Sequence, residues 1–207
     1  MASPDTRTQI LDAAEVIFAE RGFSGASVRA ITDLAGVNLA AVGYHFGSKR
    51  DLIAAVARRV IEPINVAQNV GLDRLLEQAP EPQVADLVSA FVGPLFDEIP
   101  ADDIGGSRKS LLIMTIITDP AKEMRNWMGS TEAAVRDRYR TAFMRALPNI
   151  SSAELEFRMR GLLAVVAVDR IEMNNRGTLD SSDELSGVST RRWAMAFLVA
   201  AMKAPSQ

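Results

Sequence analysis

The sequence predicts an all-α protein, and three observations carry that expectation. Apolar residues recur at steps of three and four over most of the 207 residues, the signature of helices with one buried face. Helix-opening Ser, Asn and Asp residues precede these stretches and Gly residues close them. Alternating strand patterns of useful length are absent. With 48% apolar and 24% charged residues, the composition is that of an ordinary globular chain.

In the first helix Ile10, Leu11, Ala14, Ile17 and Phe18 mark one face, Pro4 suits its opening and Gly22 its close. Ser27 precedes the short helix VRAITDLA, which Gly36 ends, and Asn38 starts a third, LAAVGYHF, closed by Gly47. Ser48 caps a fourth, with Asp51 three residues on as a capping-box acid. The apolar face of that helix is Leu52, Ile53, Val56, Val60 and Ile64, and Pro63 kinks it near its expected end at Gln68.

Pro80 and Pro82 bracket a break, after which residues 84–99 resume a helical pattern interrupted at Gly93-Pro94. Residues 101–106 read as a loop. The run LLIMTII at 111–117 fits a strand or a buried helix equally. Asp119-Pro120 opens a long helix reaching about Leu147. Ser151 and Glu154 form another capping box, for a helix to Asn175 that stops at Gly177; residues 177–190 form a polar surface loop and a last helix covers about 190–203.

Several functions are disfavoured by composition. Cys is absent and His45 is the single histidine, which removes disulfides, thiolate catalysis and cysteine zinc sites, and leaves little for a Ser-His-Asp site. No metal site, cofactor or enzyme activity is expected. The longest purely apolar run, Trp193 to Met202, has 10 residues, against about 18 for a membrane span. No secretory signal is read at the start, so the expected compartment is the cytoplasm.

The formal net charge of −3 does not suggest a nucleic-acid binder, but its distribution is uneven. Residues 21–59 carry Arg21, Arg29, Lys49, Arg50, Arg58 and Arg59 against Asp33 and Asp51, a net +4, while residues 1–20 carry a net −3. Local geometry therefore outweighs bulk charge. Residues 27–50 read as two short helices joined at Gly36-Val37, the layout of a helix-turn-helix. Val28, Ile31, Leu34, Val37, Val42 and Phe46 supply its expected core. Asn38, Ala40, Ala41, Tyr44 and His45 are left facing outward or near the rim, and the second helix is free to enter a major groove.

This part of the chain resembles the TetR family of one-component transcriptional repressors. The resemblance rests on ILDAAEVIFAERGF at 10–23, SVRAITDLAGV at 27–37 and YHFGSK at 44–49. The wording GVNLAAVGYHFGSK is also similar to a fatty-acid-responsive subgroup. The resemblance implies a three-helix DNA-binding head at 1–47, a connecting helix at 48–68 and a ligand-binding, dimerising domain at 69–207. It implies that Asn38 caps the recognition helix with Leu39 and Ala40 beside bases, and that Tyr44, His45 and Lys49 contact phosphates. Ser27 and Arg29 approach from the preceding helix. Gly43 departs from the larger residue expected there, so direct base readout is expected to be sparse.

In the remainder, Met114, Met124, Trp127, Met128 and Phe143 fall at spacings that suit either a ligand cavity or plain core. Arg170 is a candidate for an acidic ligand head group. The last two helices are apolar on more than one side: Leu162 and Val165 on the first, Trp193, Phe197 and Ala201 on the second. Two apolar faces fit a four-helix interface with a second copy, or a helix pair buried in a monomer core. The implied partners are an operator DNA duplex, a second copy of the chain and a small-molecule effector, with no membrane. The alternative is a small-molecule carrier without specific DNA binding.

Overall fold

A computed structural model describes residues 5–97, 133–176 and 187–206, with 108–116 apart from 110 and 114; over 167, 169–176 and 187–190 it describes the backbone alone. Among the described residues there is no strand. The helices are α1 (Thr6–Gly25), α2 (Val28–Ala35), α3 (Ala40–Phe46), α4 (Lys49–Gln78), α5 (Val84–Asp97), α6 (Ala133–Ala146), α7 (Ser152–Arg176) and α8 (Gly187–Lys203). The described residues of 108–116 are helical too. Leu112, Ile113 and Ile116 are buried, which favours a buried helix for the described residues of the apolar run at 111–117.

These elements divide into two compact units. The first takes in the described residues up to Glu62 together with those of 108–116; the second takes in those from Pro63 to Asp97 and from Ala133 onward. Helix α4 belongs to both, and the division falls at Glu62/Pro63 in its interior.

In the first unit, α1 begins at Asp5, whose carboxylate accepts from the Arg7 amide at 3.2 Å. Gly22 interrupts the helical backbone with φ 65°, a conformation that favours glycine. Ile10, Ala14, Phe18 and Phe23 bury one face of α1, and the rings of Phe18 and Phe23 meet edge to face at 5.1 Å. Leu52, Val56, Ala57, Val60 and Ile61 of α4 are buried as well.

Two expectations about α4 and α5 are corrected. Helix α4 does not end near Gln68 but continues to Gln78. Its buried row runs Leu52, Val56, Val60, Ile64, Gln68 and Leu72, one position in four, with a polar residue standing in the apolar series. Gln68 is tolerated there because its side-chain amide donates to the Phe91 carbonyl at 2.6 Å; a buried amide without that partner would be costly. Helix α5 is not interrupted at Gly93-Pro94: both residues lie inside it. Burial of Leu87, Val88, Phe91, Val92, Leu95 and Phe96 outweighs the local penalty of the pair.

Elsewhere in the second unit, Tyr139 of α6 is fully buried. Its hydroxyl donates to the Gln68 carbonyl at 2.7 Å, and its ring lies 4.9 Å from Phe91 and 6.4 Å from Phe143. Burial pushes the Tyr139 phenol well above its ordinary range, with Arg138 opposing and Asp73 adding. Arg138 also bridges α6 to α4 through Asn69 at 2.5 Å and Asp73. Ser151 caps α7, accepting from the Glu154 amide at 3.1 Å. Arg158 pairs with Glu154 and donates to the Met202 carbonyl at 2.7 Å, tying α7 to the end of α8. Helix α8 begins at Gly187, earlier than the expected 190. The expected loop at 101–106, the Asp119-Pro120 opening and residues 177–186 lie outside the described residues.

Candidate nucleic-acid interface

The geometry of residues 27–50 follows from short-range hydrogen bonds. Ser27 caps α2, its Oγ accepting from the Ala30 amide at 3.1 Å. Gly36 closes the helix with φ 67° and ψ 29°. Its amide donates to Asp33 at 3.4 Å and the Val37 amide to Thr32 at 3.0 Å, the paired bonds of a Schellman turn. Asn38 Oδ1 then accepts from the Ala41 amide at 2.9 Å, and Gly47, with φ 85°, closes α3 by donating to Gly43 at 3.0 Å. Ser48 opens α4, accepting from the Asp51 amide at 3.2 Å and donating to the Asp51 carboxylate at 2.5 Å. In this box the acid holds the capping hydroxyl rather than a backbone amide.

One expected core residue is misplaced. Leu34 is 53% exposed, while Thr32 is buried. The buried row of α2 is centred on Ile31 and Thr32, and the Thr32 hydroxyl donates to the Arg29 carbonyl at 3.0 Å. A threonine satisfied in this way can face the core, and helical phase then turns Leu34 outward. Val42 is buried, Val28, Val37 and Phe46 half-buried.

The residues singled out for DNA all lie in this first unit. Ser27, Arg29, Asn38, Leu39, Ala40, Gly43 and Tyr44 are exposed, and His45 and Lys49 half-buried. Tyr44 reaches 87% exposure and Leu39 54%. The His45 ring stands edge-on to Tyr44 at 5.0 Å. Ser27 and Asn38 use a lone pair as helix caps, which leaves the hydroxyl proton of one and the amide protons of the other to donate outward.

Charge at this surface is partly committed. Arg59 is taken by the acidic face of α1, bonding Asp12 at 2.6 Å and Glu15 at 3.3 Å. Among the described residues, Arg29, Lys49 and Arg50 have no ion-pair partner. Burial holds the Glu15 carboxyl above its ordinary value; Arg59 opposes this, Asp12 adds to it and Lys109 opposes it. Sequence reasoning also missed Arg7. Its guanidinium carbon sits 5.2 Å from the centroid of the Phe46 ring, a cation–π contact that braces α3 from α1. Their separation of 39 positions in the chain leaves no short-range signal for it.

For the ligand and dimer candidates the placement is mixed. Met114, Met124, Trp127 and Met128 lie outside the described residues, as does the side chain of Arg170. Phe143 is fully buried beside Tyr139. Leu162, expected at a dimer interface, is instead packed within its own protomer at 1% exposure; it lies on the same side of α7 as the buried Leu155 and Met159. Val165 is half-buried, and Ala201 is exposed. Trp193 and Phe197 are 51% and 61% exposed. Among the described residues no metal-binding cluster is found and no helix is long and apolar enough to cross a membrane.

A short exposed helix held by a glycine turn and bordered by unpaired cations defines the class: a helix-turn-helix unit of the kind that reads duplex DNA. Residues 10–56 match the model of bacterial regulatory proteins of the tetR family, and residues 89–201 match a tetracyclin repressor-like C-terminal domain. The chain belongs to the TetR family.

Among curated relatives it is 36% identical over 73 residues to the HTH-type transcriptional repressor AcnR of Corynebacterium efficiens, covering 35% of this chain and 38% of that protein. It is 36% identical over 58 residues to the HTH-type transcriptional repressor KstR2 of Rhodococcus jostii, 28% of each. The chain thus matches well under half the length of these relatives. In fold it is similar to a tetR family transcription regulator from Shewanella sp. PV-4, with TM-score 0.67 and 15% identity over 96% of this chain and 98% of that one. It is also similar to the TetR family regulator PfmR from Thermus thermophilus, with TM-score 0.55 and 16% identity over 99% and 100%.

Proposed function

We propose that the protein is a homodimeric, effector-released transcriptional repressor that acts on duplex DNA in the cytoplasm. The observation that carries this reading is the exposed outer side of α3, with Leu39, Ala40 and Tyr44 turned outward beside the unpaired Arg29, Lys49 and Arg50. The names of the relatives AcnR and KstR2, both transcriptional repressors, support repression as the outcome.

In this reading Ser27, Asn38, Tyr44, His45 and Lys49 hold phosphate oxygens and set the orientation, while Leu39, Ala40 and Arg29 meet base edges. Two copies pair through the exposed Trp193, Phe197 and Ala201 of α8 and the neighbouring Val165 of α7. Pairing presents two α3 helices to successive major grooves, about 34–36 Å apart. An effector bound in the C-terminal part releases the operator by favouring a dimer whose α3 helices no longer match that spacing. A 100-fold preference corresponds to a coupling of about 2.7 kcal/mol. Helix α4, shared by both units, is the lever.

The test is DNA binding by the full chain at two salt concentrations, using a duplex enriched by the protein from a random-sequence library. Affinity is expected to fall steeply as salt rises, because cations are released from the phosphates. Absence of any enriched duplex, or binding indifferent to salt, favours a small-molecule carrier instead.

A further inference from the structure

Nothing among the described residues accounts for a glycine at position 43. It lies in the interior of α3, and its φ is not positive, unlike those of Gly22, Gly36 and Gly47. A Cβ placed on it meets no atom within 4 Å. Neither backbone conformation nor packing excludes a side chain there. Glycine is nonetheless a poor helix former, since it gives up more backbone freedom than alanine and contributes no side-chain contact. In a helix of seven residues that penalty is concentrated on few hydrogen bonds.

The neighbourhood of Gly43 is equally unusual. Leu39, one turn earlier, and Tyr44, next in sequence, are large apolar side chains standing in solvent. Ala40 between them is exposed too. Gly43 is thus an open, exposed notch among projecting side chains, about 100° around α3 from the buried Val42.

We propose that Gly43 is a specificity-determining residue: the missing Cβ sets how closely the α3 backbone approaches the base pairs. This rests on the reading of α3 as the DNA-recognition helix. With no Cβ at 43, the α3 backbone comes nearer to the floor of the major groove than an alanine would allow. The Leu39 and Ala40 methyl groups then come into contact with thymine C5-methyl groups, an apolar readout that needs few hydrogen-bonding side chains. The crowding that explains the glycine is supplied by the duplex, not by the protein.

The test compares full-length wild type with Gly43→Ala and Lys49→Ala, on the duplex enriched by wild type and on an unrelated duplex. Gly43→Ala is expected to melt at a higher temperature than wild type, yet to bind the enriched duplex about tenfold or more weakly. Its binding to the unrelated duplex stays unchanged, and repeating the selection with it enriches a different sequence. A purely structural role moves stability and affinity in the same direction. A lower melting temperature for Gly43→Ala, or wild-type affinity for the enriched duplex, overturns the proposal. Lys49→Ala separates the two levels. If it binds both duplexes with wild-type affinity and salt dependence, the DNA interface itself is misassigned and both readings fall. If it weakens both while Gly43→Ala changes neither, the notch alone is refuted.

Discussion

Single residues in this chain do more than one task, and the polar ones show it best. Ser27 and Asn38 cap helix starts with their oxygens while keeping protons to donate outward, so under the proposed function replacing either is expected to weaken both a helix start and DNA binding. Such caps are legible in sequence because their partners lie three residues away. Thr32 and Leu34 show the opposite: hydrophobicity favours the leucine for the core, and only the bond from the Thr32 hydroxyl to Arg29 reverses that choice.

Glu15 gives a pH prediction at this scale. Burial outweighs its contact with Arg59, whose charge is shared with Asp12, so its carboxyl titrates above the ordinary value of 4.5. The native state then holds this proton where the unfolded chain has released it. The stabilising contribution is complete below about pH 4.5 and is lost as pH rises through the raised value. Across that window the urea midpoint of wild type is expected to fall with rising pH relative to that of Glu15→Gln. Parallel curves for the two proteins contradict this.

At the scale of elements, α2 and α3 are legible to within two residues because their caps and glycine stops are local. Helices α4 and α5 are not, and the reason is tertiary. Gln68 breaks the apolar series in sequence but is satisfied by Phe91 of another helix, and Gly93-Pro94 is overridden by burial on both sides. The interior Pro63 leaves the Arg59 carbonyl without its usual helical donor. In a regular helix an interior proline costs roughly 3 kcal/mol. Pro63→Ala is therefore expected to raise the urea midpoint, with a gain of about 1–3 kcal/mol. An unchanged or lower midpoint shows that the surrounding packing has been built around the proline.

The whole molecule is the scale at which sequence says least. The family and its DNA-reading part follow from motifs in the first 56 residues, but the grouping of 108–116 with the N-terminal unit arises from contacts between distant stretches of chain. The apolar exposure of Trp193 and Phe197 is anticipated by helices with more than one apolar side; the inward turn of Leu162 is not, because periodicity alone does not say which of two such sides faces home. Phe197→Glu is expected to yield a monomer by sedimentation and to abolish high-affinity binding to an operator with two half-sites. A dimeric Phe197→Glu protein that still binds its operator removes α8 from the interface.

The passage of α4 through the boundary between the units has a practical corollary. Because no extensible linker separates them at Glu62/Pro63, a chimera that borrows the reading head of a relative has to be spliced in helical phase. One extra residue there turns the remainder of α4 by about 100° and shifts it by about 1.5 Å. Exchanging the head of this chain is for that reason a problem of register in α4 before it is one of compatibility.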